Sequence, residues 1–235
     1  MQSLSKTVVC FDLDDTLYKE RGYLLSGYRA VAQAICSRGV KQDPAVTVVE
    51  MYASFQAGEN VFATLQAKYG VMDKSEMLNL YRTHKPDIHL AEGAESLLDY
   101  LKNNGCHLGL ITDGREVSQN NKIDALGLRK WFSKDDIIIS EAFGSGKPNE
   151  RNYRYFETRY PGCNYIYVGD NIQKDFVAPN RLGWTTCCIK DSAGQNVRWD
   201  TADLSQDHYP KYYVDTLANL LIIEGLSIFA GYELY

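Results

Sequence analysis

Apolar and polar positions along the chain fall into two textures. Val8, Val9, Cys10 and Phe11 form a short unbroken apolar run that leads straight into Asp12, Asp14, Asp15 and Thr16, the pattern of a parallel strand buried on both faces. Over residues 23–38, 44–56, 60–69 and 74–84 apolar side chains instead recur at helical spacing, with Gly39, Gly58 and Gly70 between the segments, which predicts four short helices. Pro86 marks a hinge. From residue 90 onward helix and strand alternate: helices over 92–103, 116–126, 149–159 and 175–182, the last interrupted by Pro179, and strands over 107–112, 137–140, 165–168 and 185–189. Such alternation predicts an α/β fold, a doubly wound parallel sheet with helices on both faces. Residues 191–210 read as a polar surface loop, 212–214 as an edge strand and 216–224 as a closing helix. The apolar stretch 226–235 either packs back on the core or contacts another subunit.

This pattern divides the chain into a discontinuous sheet core, 1–17 with 88–235, and a helical insertion, 18–87. A length of 235 residues accommodates both. A formal net charge of -5 gives no attraction for nucleic acid or an anionic membrane. No apolar run approaches the ~20 residues of a spanning helix, and the amino terminus has no signal-peptide pattern. The expectation is a cytoplasmic protein, monomeric or weakly homo-oligomeric. The six cysteines include no CxxC pair and the four histidines have no ligand spacing, so reduced, buried thiols are expected rather than disulfides or a zinc site.

Open α/β sheets bind ligands at the carboxyl ends of their strands, and the candidate chemistry falls there. Asp12 and Asp14 are two apart on a strand end and face one side. Two carboxylates brought together imply a bound cation or an acid/base division of labour; the plainer reading is an aspartate-rich turn capping the next helix. Thr112-Asp113-Gly114 ends the second strand, Gly146-Lys147-Pro148 opens a later helix, and Gly169-Asp170 ends the 165–168 strand with Asp175 five residues on. Taken singly, these read equally as a turn, a solvated lysine and helix caps. Taken together, they describe a site for an anionic group and a divalent cation. Clustered aspartates supply the hard oxygens that suit Mg2+, and Thr112, the Asp113 and Gly114 amides and Lys147 supply donors for phosphate oxygens. The loop at 144–148 is not a nucleotide P-loop, because the first glycine is absent and proline stands where Ser or Thr should be.

With FDLDDTL at 11–17, ITDG at 111–114, GKP at 146–148 and GDNIQKD at 169–175 in this order, the chain resembles the haloacid dehalogenase (HAD) superfamily. The resemblance implies a Rossmann-like core with an inserted helical-bundle cap, as in the subgroup of phosphoglycolate phosphatase and β-phosphoglucomutase. It implies that Asp12 is a nucleophile forming an aspartyl-phosphate, that Asp14 is the general acid and then base, and that Thr112 and Lys147 hold phosphoryl oxygens. Mg2+ would be bound by Asp12, the Asp14 main-chain carbonyl and Asp170, with Asp175 as a further ligand or as a support behind the ligands, and with Thr16 orienting Asp14. A dehalogenase has no leaving alkoxide to protonate, so Asp14 points to phosphoryl transfer. The expected function is a Mg2+-dependent phosphatase acting on a small phosphorylated metabolite: a sugar phosphate, nucleotide or phospho-acid. A phosphomutase is the enzymatic alternative and a non-catalytic scaffold the third reading. Lys19, Arg21 and Tyr23, which follow the first motif, and Arg115, which follows the second, are candidate substrate contacts or else hinge and surface residues.

Overall fold

The first strand, β1 (Thr7–Phe11), is buried over its whole length, as its unbroken apolar run requires of a strand covered on both faces. In the computed structural model, which describes residues 7–190 and 203–222, β1 is followed by α1 (Glu20–Ser37), α2 (Pro44–Gln56), α3 (Val61–Tyr69) and α4 (Lys74–Thr83). Then come α5 (Ala94–Asn103), β2 (His107–Thr112), α6 (Glu116–Ala125), β3 (Ile137–Ile139), α7 (Ser140–Phe143) and α8 (Arg151–Arg159), with β4 (Asn164–Gly169), α9 (Val177–Arg181), β5 (Thr185–Ile189) and β6 (Tyr212–Val214) closing the series. The expectations for 191–202, 223–224 and 226–235 fall outside the described residues.

The chain forms two compact units: Met1–Lys19, Leu90–Glu116 and Gly127–Tyr235 make one, Glu20–His89 and Val117–Leu126 the other. In the first, six strands lie in the order β3-β2-β1-β4-β5-β6, all of them parallel. The fold class is therefore the α/β doubly wound sheet read from the sequence. The chain winds outward from β1 through β2 to β3, then returns to the other side of β1 with β4. That reversal places a topological switch point between β1 and β4, where such sheets bind ligands. Phe11 is in register with Leu110 on one side and Val168 on the other, so the residues that follow all three strands emerge at one edge. A core of Val8, Cys10, Ile111, Ile138, Tyr153, Phe156, Tyr167 and Phe176 holds these strands and α8 together.

Two details depart from the sequence reading. Residues 140–143 form α7, and residues 217–222 form a 3-10 helix rather than an α-helix. In the latter, the Asn219 side chain accepts from both the amide and the hydroxyl of Thr216, 3.1 and 2.9 Å away. Such local polar bonds compete with α-helical pairing.

In the helical unit, α1 supplies Tyr28, Val31 and Ile35 to a core completed by Met51, Val61, Leu65, Met72 and Met77. Its helix ends follow elementary capping. Asp43 Oδ1 accepts from the Ala45 amide before α2, and Asn60 Oδ1 from the Ala63 amide before α3. Gly70 closes α3 in the left-handed conformation. The last carbonyls of α4 are met by α6: Ser118 Oγ donates to Arg82 O at 3.1 Å, and Asn121 Nδ2 donates to Thr83 O and His84 O at 3.2 and 3.1 Å. Orphan carbonyls at a helix end need such partners, which explains why α6 groups with the helices. Among the described residues, no helix is long and apolar enough to cross a membrane. All six cysteines are free thiols.

Candidate active site

Asp12 is the first residue after β1 and Asp170 the first after β4, on the two sides of the switch point. Asp175 lies one short turn further on, and its carboxylate folds back onto the end of β4. Its Oδ2 accepts from the Asp170 and Asn171 amides at 3.1 and 2.9 Å. Gly169 is glycine for a steric reason: a Cβ there would stand 2.5 Å from Asp175 Oδ2. The three carboxylates are buried, with one oxygen of each within 4.8 Å of the others.

Lys147 enters this cluster from the loop before α8. Its Nζ is 2.6 Å from Asp12 Oδ1 and 2.7 Å from Asp175 Oδ1, and it donates to the Tyr167 hydroxyl at 3.1 Å. Tyr153, also fully buried, donates to the Asp175 carbonyl at 3.1 Å. A buried ammonium is tolerable only when paired in this way. Burial alone would pull the Lys147 pKa down, but Asp12 and Asp175 outweigh it and hold the pKa well above the ordinary value. Burial pushes Asp12 up to about 7, against the pull of Lys147 and with the push of Asp175. Asp170 rises to about 9, through burial first and then its neighbours Asp175 and Asp12. Three buried carboxylates facing one lysine resist ionising together, and their hard oxygens fit a small divalent cation that would favour the charged forms.

Thr112 is buried at the end of β2. Next to it, Asp113 Oδ1 accepts from the Lys147 main-chain amide at 3.1 Å, and Lys174 Nζ lies 2.9 Å from Asp113 Oδ2. The Gly114 amide, a candidate donor to a phosphoryl oxygen, donates to Ser140 Oγ at 2.9 Å. Asp14 is half-buried, and the phenol of Tyr18 donates to its Oδ1. Thr16, expected to orient Asp14, is buried with a hydroxyl that has no hydrogen-bond partner; Tyr18 makes that contact in its place.

The candidate substrate contacts have different surroundings. Lys19 is exposed. Arg21 lies with its guanidinium carbon 5.1 Å from the Tyr52 ring. Tyr23 is buried against Tyr81 and His84 in the helical unit, with Lys122 Nζ over its ring. Arg115 pairs with Glu141. Tyr18 and Lys174 escaped the sequence reading. Tyr18 carries a weak signal, four residues beyond Asp14, whereas a lysine inside a turn carries none.

Comparison with known proteins gives the family of the chain. The family model described as haloacid dehalogenase-like hydrolase matches residues 6–183. Glyceraldehyde 3-phosphate phosphatase of Methanocaldococcus jannaschii is 28% identical over 232 residues, covering 93% of this chain and 97% of that one. Pyrimidine 5'-nucleotidase YjjG of Escherichia coli is 33% identical over 100 residues, 41% of this chain and 43% of its own. Among solved structures, the putative HAD-hydrolase YfnB of Bacillus subtilis bound to magnesium superimposes with a TM-score of 0.65 at 19% identity, covering 94% of this chain and 99% of that one.

Proposed function

Because the chain belongs to the haloacid dehalogenase-like hydrolases, we propose that it is a phosphatase that hydrolyses a small phosphorylated metabolite through an aspartyl-phosphate at Asp12. The observation that carries this reading is the buried Asp12–Lys147–Asp175 ion pairing beside Asp170. A carboxylate held by an ammonium at the ligand-binding edge of the sheet is a positioned nucleophile.

One carboxylate oxygen of Asp12 attacks phosphorus as the bond to the leaving oxygen breaks. Asp14, half-buried and held by Tyr18, gives its proton to the departing alkoxide. It then takes a proton from the water that attacks the phosphorus of the aspartyl-phosphate, which releases inorganic phosphate and frees Asp12. Thr112 and Lys147 hold the phosphoryl oxygens, and Lys147 keeps the Asp12 carboxylate ionised and aimed. The transition state of such a transfer is loose, so positioning and charge stabilisation are most of what a protein supplies. Asp12, Asp170, Asp175 and the Asp14 carbonyl would hold Mg2+, which when bound offsets the charge of the phosphoryl oxygens. The helical segment 18–87 is read as the cap and the source of substrate choice.

Relatives named for glyceraldehyde 3-phosphate support a three-carbon sugar phosphate as the first substrate to try. The test is phosphate release from a panel of that compound, other sugar phosphates, pyrimidine nucleotides and phospho-acids with Mg2+. The wild type should release phosphate from at least one of them, and Asp12→Asn should lose at least about 1,000-fold. An Asp12→Asn variant as active as the wild type would end the reading. Independently of turnover, Mg2+ should raise the melting temperature of the wild type and not that of Asp170→Asn.

A further inference from the structure

We propose that Lys174, acting through Asp113, is a positioning and charge-shielding residue for the phosphoryl-binding loop; this rests on the phosphatase reading above. Asp113 directly follows Thr112, so its carboxylate sits beside the residues assigned to an anionic substrate. Left alone, a carboxylate there would repel a phosphate dianion. It is not left alone: Lys174 Nζ lies 2.9 Å from Oδ2 while Oδ1 accepts from the Lys147 amide at 3.1 Å. The two side chains are 28% and 23% exposed, shielded enough for the pair to count for more than a surface salt bridge.

The pair does two things at once. It cancels the charge of Asp113, and it fixes the carboxylate that holds the Lys147 main chain. Lys147 is thereby gripped at both ends, by Asp113 at its amide and by Asp12 and Asp175 at its ammonium. Gly146 leaves the space this needs, since a Cβ there would stand 3.2 Å from Asp113 Oδ1. Lys174 itself is anchored in the turn at 171–175, where its amide and that of Asp175 donate to the Asn171 carbonyl at 3.2 and 2.9 Å. Three separate stretches of sequence, after β2, before α8 and after β4, are thus tied by one carboxylate.

The test compares wild type, Lys174→Met, Lys174→Arg and the double variant Asp113→Asn/Lys174→Met. Two readouts are used: kcat and KM on p-nitrophenyl phosphate with Mg2+, and inorganic phosphate binding by calorimetry. Asn at 113 keeps an oxygen for the Lys147 amide and removes the charge. Lys174→Met should weaken phosphate binding and raise KM about tenfold, with a smaller fall in kcat, and Lys174→Arg should stay within about threefold of wild type. The double variant should bind phosphate about threefold or more tighter than Lys174→Met, because the uncompensated carboxylate is gone. If Lys174 held phosphate directly, adding Asp113→Asn would give no recovery, and that result overturns the proposal, as does a Lys174→Met variant with wild-type binding. Should the wild type prove inert on every phosphate ester, the phosphatase reading fails, and phosphate calorimetry still decides the shielding by the same two outcomes.

Discussion

The sheet unit and the helical unit bury polar groups in opposite ways. The sheet unit encloses Asp12, Asp170 and Asp175 around one lysine. The helical unit encloses neutral groups, Thr47, Ser54 and His84, and no carboxylate among the described residues. Its buried Lys122 lies with Nζ 4.3 Å from the centre of the Tyr23 ring, close enough for the aromatic face to attract the cation. His84 is kept neutral: burial foremost, with Lys122 adding to it, lowers its pKa against the hydrogen bond to Tyr81. Its Nδ1 stands 2.6 Å from the Tyr81 carbonyl and its Nε2 has no partner, so the proton is on Nδ1. Enclosing charge is expensive, and this protein does it densely only where strand ends converge on candidate chemistry.

That contrast can be broken most forcefully at Lys147. Lys147→Met leaves Asp12 and Asp175 without their shared cation and should cost about 3–5 kcal/mol of stability, along with turnover. Added Mg2+ should recover part of the stability. A melt unchanged by the substitution would mean that the enclosed charges are not a strained cluster. In the helical unit, Ile35→Ala removes a fully buried branched side chain and should cost about 2–4 kcal/mol, with no recovery on adding Mg2+. The same denaturation series reads both.

Smaller effects sharpen the comparison. Asn152, completely buried on α8, has neither amide atom hydrogen-bonded, so the sheet unit carries an orphaned neutral group beside its paired charges. Asn152→Leu should raise stability by about 1 kcal/mol, and a lowered melting temperature would show that the amide is satisfied in solution. The gentlest probe is pH. The folded-state pKa of His84 lies below its unfolded value, so the unfolded chain binds more protons and stability falls as pH drops from about 6.5 through the folded pKa. Above that window the contribution is constant. His84→Gln should flatten this limb of the stability profile, and an unaltered slope would assign it to other groups.

Legibility followed the same divide. Asp12 and Asp170 were readable because each directly follows an apolar strand, Asp175 because it stands five residues beyond Asp170, and Lys147 because it sits in a Gly-Lys-Pro loop between a strand and a helix. Helix ends were readable at Asp43-Pro44, Asn60 and Gly70, where local chemistry fixes the backbone. What escaped depended on distance or brevity. A four-residue helix such as α7 shows no periodicity, and nothing in Ser118 or Asn121 announces that their partners are carbonyls more than thirty residues earlier. Tyr18 and Lys174 escaped because a hydrogen bond to a site residue leaves no pattern of its own. The bond from the Gly114 amide to Ser140 left no mark in the sequence for a related reason, since Ser140 comes from another strand end.

The seat that Gly169 provides for Asp175 bears on how relatives of this chain are to be read. A chain that retained every aspartate and the lysine but carried alanine at this position would pass a search for charged motifs. Its Asp175 carboxylate would nonetheless be displaced from the amides that receive it. Loss of activity in such lineages would be written in a residue that has no functional group, so a survey for retired enzymes should examine the glycine before the acids.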